Sequence, residues 1–425
     1  MFMKMGIIVE KLAIYGGKPV RKTPLPPMFP GALFIGEEEK KELLEVLESK
    51  SLFRYYGPKL LNKTKTFEEK FSQYIGVKYT LGVTSGTAAL ITSLASIGVG
   101  PGDEVIVPAY CWIMDPMAVL FLRAIPIIAE IDKTLTLDPK DVENKITDRT
   151  KAIIAVHMRG FQCDMNALMK IAEKYDLALI EDVAQACGGT YKGAKLGSIG
   201  DVGAFSFQLN KVITAGEGGA VTTNDEDIYK RAAVFHDAPF YARFNIEPYP
   251  GINFRMSELT SAVLLAQLRK IDTIIERMRE NKKKLLRELS KIDGIELHTP
   301  VDPEGELGLA IILFFDSFGK AKFFAKALNA ENVGAWHLFD PERRDLHVYY
   351  HWDVLMRRIT LTPEGCPFTC PYYGKRIRYS GDMCSKSLEI LGRAVNIDVN
   401  PLLSEEDIES IVEAVEKVMN VIENT

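Results

Sequence analysis

Three features of the chain predict an α/β fold with a buried, mainly parallel sheet and a second, smaller α+β unit. From about residue 66 to 221, short apolar runs alternate with helical patterns; such runs, joined through helices, mark strands covered on both faces. At 425 residues the chain is too long for one ordinary core, so about two domains are expected. After a long helical stretch at 256–292 the pattern changes to shorter, mixed elements.

The expected division is an N-terminal arm over 1–30, a large domain over 31–275 and a small C-terminal domain over 276–425, with 256–292 as the linking helix. Strands are read at "EVIVP" (104–108), "IPIIAEID" (125–132), "AIIAVH" (152–157), "LALIED" (177–182) and "GAFSF" (203–207). Between them, "DMNALMKIAEKYD" (164–176) spaces its apolar residues by three and four, as a helix does. In folds of this kind chemistry gathers beyond the carboxyl ends of the strands. His157, Asp182 and Lys211 stand at or just beyond such ends. The last helix, "SEEDIESIVEAVEKVMNVI" (404–422), has Ser404 in place as N-cap. Residues 341–371, rich in aromatics, arginines and prolines, show no period that assigns an element.

Composition narrows the function classes. Apolar residues at 47% and charged residues at 26% describe a folded globular protein. A net charge of -5 offers no general attraction for nucleic acid. The basic run "RENKKKLLRELSK" (279–291) reads as the solvated face of an amphipathic helix with its leucines inward. The opening "MFMKMGIIVEKLAIYGGKP" mixes charges into its apolar residues and lacks a signal-peptide core. No uncharged run approaches the ~20 residues that span a bilayer. Six cysteines do not make a disulfide framework, and "CPFTCP" (366–371), with Cys384 further on, lacks a zinc spacing. A cytoplasmic protein with no membrane, nucleic-acid or metal partner is expected.

Three short stretches carry chemistry. In "TSGTAAL" (84–90) Ser85, Gly86 and Thr87 precede good helix formers. Free amides and a helix dipole there can hold phosphate, although Ser and Thr are also ordinary N-caps. "LALIEDVAQACGG" (177–189) ends a strand in two carboxylates. One of them stays near the interior and needs a partner: a cap, an ion pair, or a protonated pyridine nitrogen. In "FSFQLNKVITAGEGGAV" (205–221) Lys211 lies between an apolar strand and a glycine-rich loop. A lysine in an apolar pocket is a freed amine, suited to a Schiff base with an aldehyde; the alternative is a lysine that reaches the surface.

Their order is more specific than any one of them. The sequence resembles the DegT/DnrJ/StrS family of pyridoxal-phosphate-dependent sugar aminotransferases over at least 80–275. The resemblance runs through "TSGTAAL", "PGDEVIVPAY", "EDVAQACGGTYKGAKLGSIGDVGAFSFQLNKVITAGEGGAVTTND" and "GINFRMSELTSAVLLAQLRKID". It implies the type I pyridoxal-phosphate aminotransferase fold, with a large mixed, mostly parallel sheet domain and a smaller C-terminal domain, and pyridoxal 5'-phosphate as cofactor. By that resemblance Lys211 is the Schiff-base lysine and the proton-transferring base, and Asp182 is the partner of the pyridine nitrogen. Gln185 approaches the phenolic oxygen and Trp112 stacks on the ring. Ser206 joins Ser85, Gly86 and Thr87 around the phosphate. Asn253 reaches a phosphate in the partner subunit, which implies a homodimer with shared active sites.

The implied reaction moves an amino group from glutamate or glutamine to the keto group of a nucleotide-linked sugar or a cyclitol. Met158 and Arg159 depart from the less charged pair often found in the family. Arg159 suits an acidic acceptor, the donor's carboxylate or a structural pair. "WHLFDPERRDLHVYYHWD" (336–353) adds His337, His347, His351 and two arginines, for pocket or surface. Two alternatives accompany this reading. A sugar dehydratase of the same fold would carry histidine in place of Lys211. A non-catalytic, pyridoxal-phosphate- or sugar-binding regulator has no DNA-binding module here to act through.

Overall fold

The computed structural model describes residues 11–423. Its large sheet has seven strands in the order β1-β9-β8-β5-β4-β2-β3. These are β1 (Tyr79–Val83), β2 (Glu104–Pro108), β3 (Ile125–Ala129), β4 (Thr150–Val156), β5 (Ala178–Asp182), β8 (Val202–Ser206) and β9 (Gly219–Thr223); a two-residue hairpin, β6 (Thr190–Tyr191) and β7 (Ala194–Lys195), stands apart. The pairs β2–β3, β2–β4, β4–β5 and β5–β8 are parallel, while β9 runs antiparallel to both β1 and β8. The carboxyl ends of β2, β4, β5 and β8 and the start of β9 therefore share one edge. Period-two alternation sends Val105 and Val107 into one apolar cluster and Ile106 into the other, so the sheet is buried on both faces.

The five expected strands are present, with ends that differ by a few residues: the 125–132 run pairs only as Ile125–Ala129, and the 203–207 run as Val202–Ser206. Strands β1 and β9 were not expected. Both are short and contain Gly or Thr rather than a full apolar run, and each pairs with a neighbour that supplies its burial.

The linking helix expected at 256–292 is two helices, Glu258–Leu268 and Ile271–Leu289. At the break, Arg269 and Lys270 donate to the carbonyls of Ala266 and Gln267, three residues back, a turn tighter than the α-helix. Lys270 Nζ turns aside to the Glu39 carboxylate at 2.8 Å and to the Phe34 carbonyl. The second helix buries Ile274, Ile275, Met278, Leu285 and Leu289, as its amphipathic pattern requires. Lys282 breaks the expected solvated face. It is 5% exposed, pairs with Glu306, and lies 4.8 Å from the centroid of the Phe161 ring.

A four-stranded antiparallel sheet follows, in the order β10-β11-β13-β12, formed by β10 (Glu296–Leu297), β11 (Ala310–Phe314), β12 (Ala335–His337) and β13 (Ala394–Asp398). It packs with the helices Phe318–Ala330 and Glu405–Glu423 into a third apolar cluster. Ser404 caps the last helix, its Oγ accepting from Asp407 N at 3.1 Å. The stretch 341–371 is ordered by tertiary contacts. Tyr349 and Trp352 are fully buried, with their polar ends on the carbonyls of Gly381 and Leu346. Among the described residues no helix is long and apolar enough to cross a membrane, and no group of three or more His, Cys, Asp or Glu could hold a metal.

Residues 11–31 run from this second sheet to the edge of the first. Glu331, fully buried, accepts from the N–H groups of Ala13 (2.8 Å) and Val20 (2.9 Å) and from Lys417 Nζ (2.9 Å). Arg21 pairs with Asp407 at 2.7 Å, and Gly31 N–H reaches the Lys211 carbonyl at 3.0 Å. Replacing Glu331 by Ala leaves a buried lysine and two amides without their acceptor. It should cost about 3–5 kcal/mol, read as a lower urea midpoint, with faster proteolysis within 11–31.

Candidate active site

Strand β5 ends in adjacent carboxylates, and a strand sends successive side chains to opposite faces. Glu181 turns into the protein, with no exposure, and accepts from Gly197 N (2.9 Å), Ile199 N (2.7 Å), Gly200 N (2.8 Å) and His157 Nε2 (3.0 Å). His157 Nδ1 accepts from Cys163 N at 3.2 Å. That bond places the ring proton on Nε2, so His157, although it follows a strand end, is part of the frame. Asp182 turns the other way. Its Oδ1 accepts from Ala184 N at 2.8 Å, and its charge faces Lys211.

Lys211 stands in the loop between β8 and β9. The loop is closed by Phe207 N to the Gly218 carbonyl (2.8 Å) and by Thr214 Oγ1 to the Phe207 carbonyl (3.0 Å). Burial disfavours its ammonium and lowers its pKa, with the nearby Asp182 carboxylate opposing the shift. Its side chain lines a cavity of about 760 Å³ together with Arg159, Gln185, Trp336, Asp345 and His347. Pro27, Met28 and Phe29 form part of the wall.

Arg159 is held tightly. Its backbone takes a left-handed conformation (φ 53°), uncommon for a side-chain-bearing residue and typical of sites where position matters more than backbone comfort. Its N–H donates to Gln185 Oε1 at 3.0 Å, and its Nε donates to the buried Tyr110 hydroxyl at 2.6 Å. The two terminal nitrogens have no protein partner among the described residues. Asp345 also lines the cavity, close enough for its charge and that of Arg159 to interact. Burial alone would raise that acid, but hydrogen bonds from His347 and the charge of Arg159 hold it down at about 2.

The expected phosphate residues come together. Ser85 begins the helix Gly86–Ser96 as N-cap, its Oγ accepting from Ala88 N at 3.1 Å. A Cβ on Gly86 would lie 2.6 Å from Ser206 Cβ, and one on Gly219 would lie 2.3 Å from the Ser85 carbonyl oxygen. Only glycine fits at these two positions, and the cradle they leave presents the first amides of the helix, including Thr87. An amide cradle for an anion, a freed amine for an aldehyde and a carboxylate for a ring cation fit the donor set of pyridoxal 5'-phosphate.

Trp112 is 43% exposed, with its ring 4.9 Å from that of the cavity residue His347. Asn253 is exposed and does not line the cavity. His337, expected at the pocket, lies in β12 instead, 5% exposed, with its Nε2 on the Gly392 carbonyl at 2.8 Å and Phe318 against its ring.

The family model for the DegT/DnrJ/EryC1/StrS aminotransferases matches residues 34–362. The chain belongs to the DegT/DnrJ/EryC1/StrS aminotransferase family. Among relatives within it, the L-glutamine:2-deoxy-scyllo-inosose aminotransferase of Streptomyces lividus is 37% identical over 280 residues, 62% of this chain and 65% of that protein. The dTDP-3-amino-3,6-dideoxy-alpha-D-galactopyranose transaminase of Aneurinibacillus thermoaerophilus is 33% identical over 354 residues, 83% of this chain and 88% of that protein. The crystal structure of 3-amino-5-hydroxybenzoic acid synthase superposes with a TM-score of 0.78 at 28% identity, covering 94% of this chain and all of that one. The fold is the type I fold of pyridoxal-phosphate-dependent aminotransferases.

Sequence reasoning missed several residues of this aminotransferase site. Tyr110 and Asp115 lie in "YCWIMDPMAVL", where a lone acid inside an apolar helix start was the available signal. Asp345 was missed as well; it reaches the cavity with Arg343 and Arg344, the two arginines read as pocket or surface, because 347–349 hydrogen-bonds to 109–111: Cys111 N to the His347 carbonyl, and Tyr349 N to the Ala109 carbonyl. No local pattern announces that pairing. Glu181→Ala strands three buried amides and a histidine. We expect a loss of about 3–5 kcal/mol in urea unfolding, with Glu181→Gln, which keeps an acceptor, losing less.

Proposed function

We propose that this aminotransferase uses pyridoxal 5'-phosphate to move an amino group from an amino acid donor, glutamate or glutamine, to the keto group of a nucleotide-linked sugar or a cyclitol. The observation that carries this reading is Lys211. It lines the cavity as an amine whose charged form is disfavoured by burial, and it faces a carboxylate at the end of the neighbouring strand. The relatives named above act on a cyclitol ketone with glutamine and on a nucleotide-linked sugar, which supports both acceptor classes.

When bound, the cofactor supplies an aldehyde to hold amines and a protonated ring to draw electrons from the substrate carbon. The chain supplies the rest. Asp182 would hold the ring proton, and the Ser85–Gly86–Thr87 amides with Ser206 would hold the phosphate. Trp112 would pack on the ring, and Gln185, already fixed by Arg159 N–H, would serve the phenolic oxygen. Lys211 Nζ would be the base that takes the proton from the substrate carbon. A base there contributes typically 10²–10⁴-fold. Arg159 takes the donor's carboxylate on its two terminal nitrogens, its position being set by Tyr110. Asn253, exposed on the surface, serves the phosphate of a second copy in a homodimer.

The purified protein should be yellow and should bleach on addition of glutamate or glutamine; a protein that takes up no chromophore would overturn the reading. Lys211→Ala should lose about 10³-fold or more in turnover while still binding cofactor non-covalently. Arg159→Lys keeps the charge but loses the fork. It should raise KM for the amino acid donor about ten- to a hundredfold and leave KM for the keto acceptor nearly unchanged.

A further inference from the structure

Asp115 sits in the first turn of the helix Met114–Phe121, three residues after Trp112, and has no exposure at all. Its backbone N–H donates to the Trp112 carbonyl at 3.0 Å. Neither carboxyl oxygen has a hydrogen-bond donor, although both are sealed from solvent. The groups that face it are the Asp182 carboxyl from the end of β5, the Lys211 amine from the loop after β8, and the Cys111 thiol from its own segment. The thiol is directed at the Pro108 carbonyl, 3.4 Å away, and the lysine is shared with Asp182.

Two carboxyl groups in contact away from water cannot both stay ionised. One proton between them removes the repulsion and lets one Asp115 oxygen donate to Asp182 instead of standing unpaired. The proton belongs on Asp115. Asp182 retains the Ala184 N–H at 2.8 Å and some exposure, both of which favour its anion, whereas Asp115 has neither. Burial, then the Asp182 charge, pushes the Asp115 carboxyl well above the usual carboxylate range. The start of a short helix favours an anion, but not strongly enough to offset full burial beside another carboxylate.

We propose that Asp115 is a positioning residue: as a neutral carboxylic acid it donates a hydrogen bond to the Asp182 carboxylate and holds that carboxylate ionised and oriented for the ring nitrogen of the cofactor. The proposal rests on the reading of Asp182 given above. It predicts that an amide can replace Asp115, because a side-chain N–H donates as the acid O–H does and no charge is lost.

The test compares wild type, Asp115→Asn and Asp115→Ala after reconstitution with pyridoxal 5'-phosphate. Equilibrium cofactor affinity, the visible absorbance against pH, and the melting temperature of the cofactor-free protein are measured. Asp115→Asn should keep the wild-type absorbance–pH midpoint. Asp115→Ala should bind cofactor about tenfold or more weakly and move that midpoint by about half a pH unit or more. A displaced midpoint in Asp115→Asn would mean that a negative charge had been removed, and would overturn the proposal. So would an alanine variant that melts lower but matches wild type in affinity and midpoint. If the alanine variant does not fold, the asparagine variant still decides. Wild-type protein that binds no chromophore overturns the cofactor reading and this proposal together; a normal wild type with a displaced asparagine variant overturns this proposal alone.

Discussion

Glu181 accepts three backbone hydrogen bonds and one from a histidine in a place without solvent access. A buried carboxyl group is tolerated when its oxygens are filled by donors this way. The arrangement fastens the end of β5 to the turn at 197–200 and to the segment after β4. Because a strand alternates faces, fixing Glu181 inward fixes Asp182 outward. The carboxylate that faces Lys211 is thus oriented by a neighbour pointing the other way.

Around Asp182 the balance is electrostatic. Burial lowers the affinity of Lys211 for its proton, and the Asp182 carboxylate limits how far that lowering goes. The result is an amine that is neither a surface ammonium nor a stray buried base. On the far wall, Arg159 and the low-pKa Asp345 bring a second pair of opposite charges close to the same space. A polar substrate entering between these pairs meets fixed dipoles rather than water that must reorganise, which is the usual electrostatic advantage of a preformed site.

Much of this was legible in the sequence, and the boundary is instructive. Continuous apolar runs gave up the central strands because burial on both faces is a local, compositional signal. Lys211, Asp182 and the Ser85–Thr87 turn were legible as an ordered set. Strands β1 and β9 were not, since Gly82 and Gly219 interrupt their apolar pattern, and Gly219 answers to the close approach of Ser85 rather than to strand propensity. The break at Arg269–Lys270 depends on Glu39, some 230 residues away in the chain. Lys282 is buried because Glu306 and Phe161 meet it, and His337 left the pocket because β12 pairs with β13. Each of these is decided by a distant partner, and no window of sequence contains both halves.

The anchoring of residues 11–31 also orders events in time. Lys417 reaches the Lys18 carbonyl across 399 residues of sequence, and Arg21 reaches Asp407. A ribosome releases the first of these segments long before the second exists. Pro27–Phe29 line the cavity and Gly31 N–H reaches the Lys211 carbonyl, in the same segment that Lys417 and Arg21 tie to the last helix. Closing so long a loop is entropically modest but kinetically late. Part of the wall of the Lys211 cavity thus belongs to a segment whose anchors lie in the last helix, and its contacts cannot be completed until the end of the chain exists.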